Sequence, residues 1–135
     1  LNIWCNIRKL EKPIYIKTKL NYKQILKKLK KLDNYALTLL SAAWIRIKFM
    51  KTSRIEIYVS KKHINKFIKE IGEKSKKPTN FIIFPCDKYI FEGSEKIDSL
   101  ILVSVVQNYV DLIAYGGTGI RVALKLAEKY NLLGV

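Results

Sequence analysis

Apolar residues recur three and four positions apart in two stretches of the first half of the chain. This is the spacing of a helix with one buried face. The first stretch runs from Tyr22 to Leu32, follows Asn21 as a helix cap, and stops at Asp33-Asn34. The second runs from Ile64 to Ile71, with Ser60 as its predicted cap and Gly72 at its end. The pattern predicts two amphipathic helices.

Other stretches have the pattern of strands. Ile14 to Thr18 is β-branched and aromatic, and its neighbouring proline favours an edge strand. Alternation predicts a strand at Arg54 to Val59, and four large apolar residues in a row predict a buried one at Asn80 to Pro85. Two shorter strands are expected at Tyr89 to Phe91 and Leu100 to Val103.

Four further helices are predicted. Leu1 to Leu10 has the spacing of a short amphipathic helix, and Tyr35 to Ile45 indicates a short strand that opens into a buried helix. Near the C-terminus an apolar helix capped by Ser104, a glycine hinge, and a last helix from Thr118 to near Asn131 stand end to end. We expect the rest of the chain to pack around that pair.

The two C-terminal helices each have a predicted buried face. In the first, the inward face is Val105, Val106, Tyr109, Leu112 and Ile113, with Gln107, Asn108 and Asp111 elsewhere. In the second, the presented face is Ile120, Ala123, Leu124, Ala127 and Tyr130.

Taken together, these elements predict an α+β fold with a mixed central sheet of about four to six short strands. Four or five helices pack on the sheet, and the last two form a C-terminal helical hairpin. A length of 135 residues fits a single domain. The apolar runs are far shorter than the roughly 20 residues of a membrane span. No leader pattern is visible, so we expect a cytoplasmic protein. Because residue 1 is Leu, the chain is expected to be the C-terminal part of a longer protein.

The net charge of +15, from 26 basic and 11 acidic residues, favours acidic partners. Nucleic acid is the commonest, since release of counterions from phosphate drives association. The alternative is that a Lys-rich composition reflects the source organism. The candidate nucleic-acid contacts are the lysines on the wet faces of two helices: Lys23, Lys27, Lys28, Lys30, Lys31, Lys61, Lys62 and Lys66.

Catalytic and metal motifs are sparse. Cys5 and Cys86 stand alone and His63 is the single histidine, so we predict neither a metal site nor a cofactor. The glycines of 116–119 lack the GK[ST] ending of a phosphate loop and suit a hinge. On the strand that contains Glu56, Tyr58 occupies the place of the second carboxylate that a nucleotidyl transferase would need for magnesium.

Asp111 is the most interesting carboxylate, because it lies within an apolar helix and needs partners if it is buried. The candidate partners are the amides of the hinge at 117–119 and the side chain of Arg121. A structural tie is the favoured interpretation, and a catalytic role is the alternative.

Four motifs follow one another along the chain. They are Leu1 to Trp4; Tyr35-Ala-Leu-Thr38 followed by Ala42 and Ala43; Asn80 to Pro85; and Val103-Ser-Val-Val-Gln107-Asn-Tyr109-Val-Asp111-Leu112. This order resembles the C-terminal domain of AbiEi-type antitoxins, which are winged-helix transcriptional regulators of type IV toxin-antitoxin systems. Leu39 stands where that family usually has Gly. The chain keeps Gly119 and Ala123 but lacks the family's Arg and both acids near Arg121.

The resemblance implies a non-enzymatic domain that supports DNA repression and neutralises a protein toxin, with an upstream winged helix that reads the operator. The positions that carry it, by motif or by structure, are Tyr35, Asn80, Pro85, Gln107, Tyr109, Asp111, Leu112, Gly117 and Gly119. The strand and helix that begin at Tyr35 are also similar to the opening of nucleotidyl transferase domains. Two alternatives therefore stay open: a basic nucleic-acid-binding module and a divergent nucleotidyl transferase.

Overall fold

The computed structural model describes residues 12–132 of the chain. Five helices lie in this range: α1 (Tyr22–Leu29), α2 (Leu39–Ile47), α3 (Ile64–Ile71), α4 (Val105–Tyr115) and α5 (Thr118–Tyr130). The strands are β1 (Ile14–Lys17), β2 (Tyr35–Leu37), β3 (Ile55–Ser60), β4 (Glu73–Lys74), β5 (Phe81–Cys86), β6 (Glu95–Ile97) and β7 (Leu100–Leu102). The predicted helix at 1–10 lies outside the described residues.

The seven strands form one mixed sheet in the order β4-β1-β5-β3-β2-β7-β6. The central pair β3 and β5 is parallel, as is the pair β2 and β7, and the other neighbours are antiparallel. All six residues of β3 are buried, as expected for a central strand covered on both faces. The predicted α+β class with a mixed sheet is therefore confirmed, with slightly more strands than the four to six expected.

Two hydrophobic clusters lie on opposite faces of this sheet. One contains the buried side of α1, through Ile25 and Leu29, and the buried side of α3. The other contains much of α2 and the C-terminal hairpin of α4 and α5. Since α1 and α3 cover the same face, the lysines on their outer sides lie on one side of the molecule.

Polar caps fix where several helices begin. The side chain of Asn21 accepts a 2.9 Å hydrogen bond from the amide of Gln24, and the Gln24 side chain accepts one from the Asn21 amide in return. Ser104 accepts from the amide of Gln107 at 3.1 Å and caps α4 as predicted. Ser60 makes no side-chain cap hydrogen bond, because it ends β3 and a 3₁₀ turn (Lys61–His63) precedes α3.

The turn from β2 into α2 is abrupt. Leu39 has φ of +52°, a left-handed conformation that glycine adopts more easily, and its side chain is buried. The chain thus makes a tight strand-to-helix turn at the position where the similar family usually has Gly. The burial of the Leu39 side chain offsets the backbone strain.

Two strand predictions are wrong, and two short strands were missed. Tyr89 to Phe91 is part of a 3₁₀ helix (Lys88–Phe91), while the short strands β4 and β6 were not predicted. β1 is not an edge strand, since it pairs with β5 on one side and β4 on the other. Both missed strands are held by backbone pairing and have mostly exposed side chains, so they leave no apolar pattern in the sequence.

The predicted inward face of α4 is correct in part. Leu112 is buried and Val105, Tyr109 and Ile113 pack against the cluster. Val106 is 58% exposed, and the other buried residues are the polar Asn108 and Asp111. Polar side chains occupy the buried stripe because other elements supply their hydrogen-bond partners. Apolar pattern alone could not indicate this.

The predicted face of α5 is rotated relative to the observed one. Ile120, Leu124 and Tyr130 are exposed, and the buried residues are Gly119, Val122, Ala123, Leu126 and Ala127. A Cβ atom at residue 119 would lie 2.5 Å from the Leu112 carbonyl oxygen. This close approach turns the small residues of α5 towards α4. None of the helices in residues 12–132 is long and apolar enough to cross a bilayer.

Candidate nucleic-acid interface and buried polar network

A groove runs between α1 and α3 on the outer side of the sheet. It consists of three adjoining hollows with volumes of about 580, 450 and 200 Å³. Lys28 lines the first two, Lys31 lines the second and third, and Glu70 lines all three. Shared lining residues make the hollows one continuous feature, which we call the lysine groove.

Seven lysines line the groove, against three acidic residues, Asp33, Glu70 and Glu73. The lysines are Lys17, Lys19, Lys27, Lys28, Lys31, Lys66 and Lys69. Apolar side chains lie between them, including Leu20, Leu32 and Phe67. The lysine groove is therefore a cationic channel with apolar patches, which is suited to an extended polyanion.

The amphipathic pattern of α1 explains why lysines of this helix reach the groove. Ile25 and Leu29 are buried against the sheet, so residues on the other sides of the helix face solvent or the groove. Of the predicted contacts, Lys27, Lys28 and Lys31 from this helix region line the groove. Lys66 from α3 lines its other side.

The remaining predicted lysines do not line the groove. Lys23 and Lys30 are exposed elsewhere on α1, and Lys62 is exposed in the 3₁₀ turn before α3. Lys61, in the same turn, lies 3.6 Å from the Asp87 carboxylate. Four of the eight predicted lysines therefore line the lysine groove, and the other four lie outside it.

Sequence analysis missed Lys17, Lys19 and Lys69 as site residues. Lys69 follows Lys66 by three positions on α3, a spacing that could have signalled it. Lys17 ends β1 and Lys19 follows it, and only the pairing of β1 within the sheet brings them to the groove. No local pattern predicts that placement.

His63 lies at one end of the groove, beside Lys66 and Asp33. The atom Nδ1 of His63 is buried and has no hydrogen-bond partner within residues 12–132. The sequence predicts a surface residue in the first turn of a helix. The structure places it half-buried in the 3₁₀ turn, as part of the groove lining.

The buried polar network lies on the opposite face of the sheet. Asp111 is fully buried and accepts hydrogen bonds from the Thr38 hydroxyl, from Tyr58 at 2.9 Å and from Gln107 at 2.8 Å. The predicted partners, the hinge amides and Arg121, are wrong. Arg121 is exposed, with its guanidinium 5.9 Å from the Phe49 ring centroid. These three hydrogen bonds form a structural tie between the end of β2, β3 and α4.

Glu56 holds the start of α2. Its carboxylate accepts from the amides of Leu40 at 3.0 Å and Ser41 at 3.3 Å, and the Arg54 guanidinium lies 3.6 Å away. A carboxylate at a helix N-terminus satisfies amides that have no partner within the helix. Glu56 therefore replaces a side-chain cap at Thr38, which makes no cap hydrogen bond.

Arg46 joins α2 to the C-terminal part of the sheet. Its guanidinium donates to Asn108 at 3.0 Å, to the Val103 carbonyl at 2.6 Å and to Glu95 at 2.7 Å. Asn108 in turn donates to the Leu39 carbonyl at 3.1 Å. These bonds explain why a polar residue of α4 is fully buried.

Two residues of the motifs described above, Tyr35 and Pro85, lie within strands of the sheet. Tyr35 is buried, accepts from the Ile101 amide at 3.2 Å, and its ring lies 6.0 Å from that of Phe67. Burial raises the pKa of Tyr35, the Ile101 hydrogen bond lowers it and the Asp33 charge raises it. Pro85 lies within β5 opposite Val59.

The other motif residues lie at the ends of strands and helices or where these elements pack together. Asn80 precedes β5, and its carbonyl accepts from the Ile55 amide at 2.7 Å. Tyr109 is half-buried against the hairpin cluster. Gly117 has φ of +52° and Gly116 has φ of +79°, so the hinge needs residues tolerant of positive φ, as predicted.

In the described part of the chain no group of three His, Cys, Asp or Glu side chains is arranged to hold a metal ion. Cys86 is buried and forms no disulfide. No protein-family model, curated protein or solved structure matches this chain.

Proposed function

We propose that this chain is a non-enzymatic, nucleic-acid-binding regulatory domain that holds a phosphate backbone in the lysine groove. The observation that supports the proposal is the convergence of seven lysines, from β1 and the residues after it, from α1 and the residues after it, and from α3, on three hollows that share lining residues. Lysine ammonium groups neutralise phosphates, and counterion release makes that association favourable for any base sequence. A composition bias would distribute lysines over the surface without concentrating them along one groove.

The test compares two variants with the same change in net charge. The groove triple variant is K28E/K31E/K69E. The outer triple variant is K51E/K96E/K129E, whose lysines are exposed and do not line the groove. Binding of a fluorescent oligonucleotide is measured by anisotropy at a fixed, low salt concentration.

The groove triple variant should lose most of its affinity, because charge reversal replaces attraction to phosphate by repulsion. The outer triple variant should lose much less, since it alters only the overall field. Equal losses in the two variants would show that net charge alone attracts the nucleic acid. No binding by the wild-type chain would remove the proposal.

The AbiEi resemblance supplies a biological role for such a domain: it supports repression by a transcriptional regulator and neutralises a toxin. Residues from two separate motifs meet in one buried contact, since Thr38 and Gln107 both donate to Asp111. This convergence supports treating the motifs as one unit. A gel shift with the full gene product and its own promoter, at controlled salt, and a pull-down with a cognate toxin test the role. Failure of both would remove it.

A further inference from the structure

Glu70 occupies an unusual place in the lysine groove. It is exposed on α3, and its side chain borders each of the three hollows. Within residues 12–132 no salt bridge joins its carboxylate to any of the surrounding lysines. A carboxylate among lysines that is not neutralised by them is available to a ligand.

A carboxylate at this place would repel a phosphate. A nucleic acid in the lysine groove therefore avoids placing its backbone against Glu70, and holds its phosphates on the lysines along the rim. A duplex laid along a surface groove presents its sugars and phosphates to that groove, whereas a single strand can turn its bases inwards.

The channel has surfaces that suit bases. Leu20 and Leu32 line it, are partly exposed, and offer apolar contact to unstacked rings. A carboxylate accepts hydrogen bonds and donates none, so it pairs with exocyclic amino groups such as N4 of cytosine. Uracil and thymine offer a donor only at N3–H, and the keto oxygens O2 and O4 on either side of that donor repel a carboxylate.

On these grounds we infer that the lysine groove takes single-stranded nucleic acid and that Glu70 selects bases that carry an exocyclic amino group. The inference rests on the proposed function and goes beyond it, since lysines alone would bind any strand. Glu70 acts here as a residue that determines specificity.

The experiment measures binding of deoxycytidine and deoxyuridine oligonucleotides of equal length to the full chain, by anisotropy at low salt and neutral pH. Both are weakly stacking pyrimidines. At the pairing edge cytosine has an amino group at C4 and an acceptor at N3, where uracil has a keto oxygen and an N3–H donor. The variants are E70Q and, as a matched control, E73Q, which removes the same charge from one end of the groove only. Circular dichroism confirms that each variant is folded.

The wild-type chain should prefer the cytidine strand by about fivefold or more, the lower end of what one base-edge interaction contributes. E70Q should bring the ratio close to one, because an amide both donates and accepts, while E73Q should keep the wild-type preference. A duplex of equal length should compete more weakly than the single strand.

Equal binding of the two strands by the wild-type chain overturns the selection by Glu70 but leaves the proposed function intact. A preference that persists in E70Q also overturns it. A duplex that competes as well as the single strand overturns the choice of a single strand. If neither strand binds at low salt, the proposed function fails together with this inference.

Discussion

The phenol of Tyr58 on β3 donates a 2.9 Å hydrogen bond to the Asp111 carboxylate on α4, across 53 positions of sequence. The Thr38 hydroxyl at the end of β2 donates to the same carboxylate oxygen. The central sheet and the C-terminal hairpin are thereby joined through one buried carboxyl group. Tyr58 stands where a magnesium-binding pair would have its second carboxylate, and its hydroxyl donates to an acid of another element.

Replacement of Asp111 by Asn should destabilise the fold. The substitution keeps the shape but removes a charged acceptor, and its amide presents donors to a site that already contains the donors Thr38, Tyr58 and Gln107. A buried hydrogen bond to a charged group contributes about 1.5 to 3 kcal/mol, so the expected loss is about 3 kcal/mol or more. Urea denaturation of the wild type and D111N measures it.

The matched control is D87N. Asp87 is an exposed carboxylate 3.6 Å from Lys61, and exposed ion pairs contribute about 0.2 to 1 kcal/mol. D87N should therefore change the free energy of unfolding by much less than D111N. Similar effects of the two substitutions would contradict a special role for the buried carboxylate.

The left-handed backbone at Leu39 should reverse the usual order in which Ala is more stable than Gly in a helix. In a helix interior, Gly is less favourable than Ala by about 1 kcal/mol. At φ of +52° Ala retains the steric penalty of a left-handed L-residue, about 1 to 2 kcal/mol, which Gly avoids. Both L39G and L39A lose the buried side chain, but L39G should be the more stable of the two.

Thermal or urea unfolding of both variants checks this order. The corresponding pair at Leu40, the next residue of α2, is the control and should keep the usual order with Ala more stable. If L39A proved more stable than L39G, Leu39 would not have the left-handed conformation.

Gly119→Ala should destabilise the protein, although Ala has a higher helix propensity than Gly. Propensity alone predicts a gain of about 1 kcal/mol from this change. The added methyl group would instead lie 2.5 Å from the Leu112 carbonyl oxygen, and overpacking of this kind costs about 1 to 3 kcal/mol. We expect a net loss of stability in urea unfolding. A gain would show that α4 and α5 are not packed so closely.

The raised pKa of Tyr35 makes its contribution depend on pH. A phenol whose pKa is higher in the folded state favours folding below about pH 10, its unfolded pKa, and that contribution is lost as the pH rises through the folded value. Y35F cannot ionise, and it also removes the acceptor for the Ile101 amide. At pH 8 the variant should be less stable than the wild type by about 1 kcal/mol.

Above pH 10 the wild type should lose stability relative to Y35F, so the difference between them should shrink. Urea denaturation of both proteins at pH 8 and pH 10.5 measures the two differences. Lysine titration affects both proteins alike and cancels in the comparison. A difference that does not change with pH would contradict the raised pKa.

Much of the fold could be predicted because burial leaves an apolar pattern in the sequence. The helices at 22–29 and 64–71 bury one face and show helical periodicity. The strands at 55–60 and 81–86 are covered on both faces and are rich in β-branched and aromatic residues. β6 escaped prediction because Glu95 and Lys96 are exposed, and the strand is held by backbone pairing with β7 and by the ion pair of Glu95 with Arg46. Such an element leaves no pattern of burial in the sequence.

The candidate site could be predicted only in part. The lysines of α1 are visible as the wet face of a helix, but Lys17 joins them through the pairing of β1 with β5. In the same way, Asn108 of α4 is buried because Arg46 and Leu39 lie opposite it. Partners more than 60 positions away in sequence decide these cases, and no local window contains them.

The salt dependence of binding tests the central claim most directly. Each phosphate contact to a single strand adds about 0.7 to the slope of log K against log salt concentration. Neutralising three groove lysines, in K28Q/K31Q/K69Q, should therefore lower the slope by about 2. The matched variant K51Q/K96Q/K129Q should keep the wild-type slope. If the two variants lowered the slope equally, or if wild-type binding did not respond to salt, the lysine groove would not be the nucleic-acid interface.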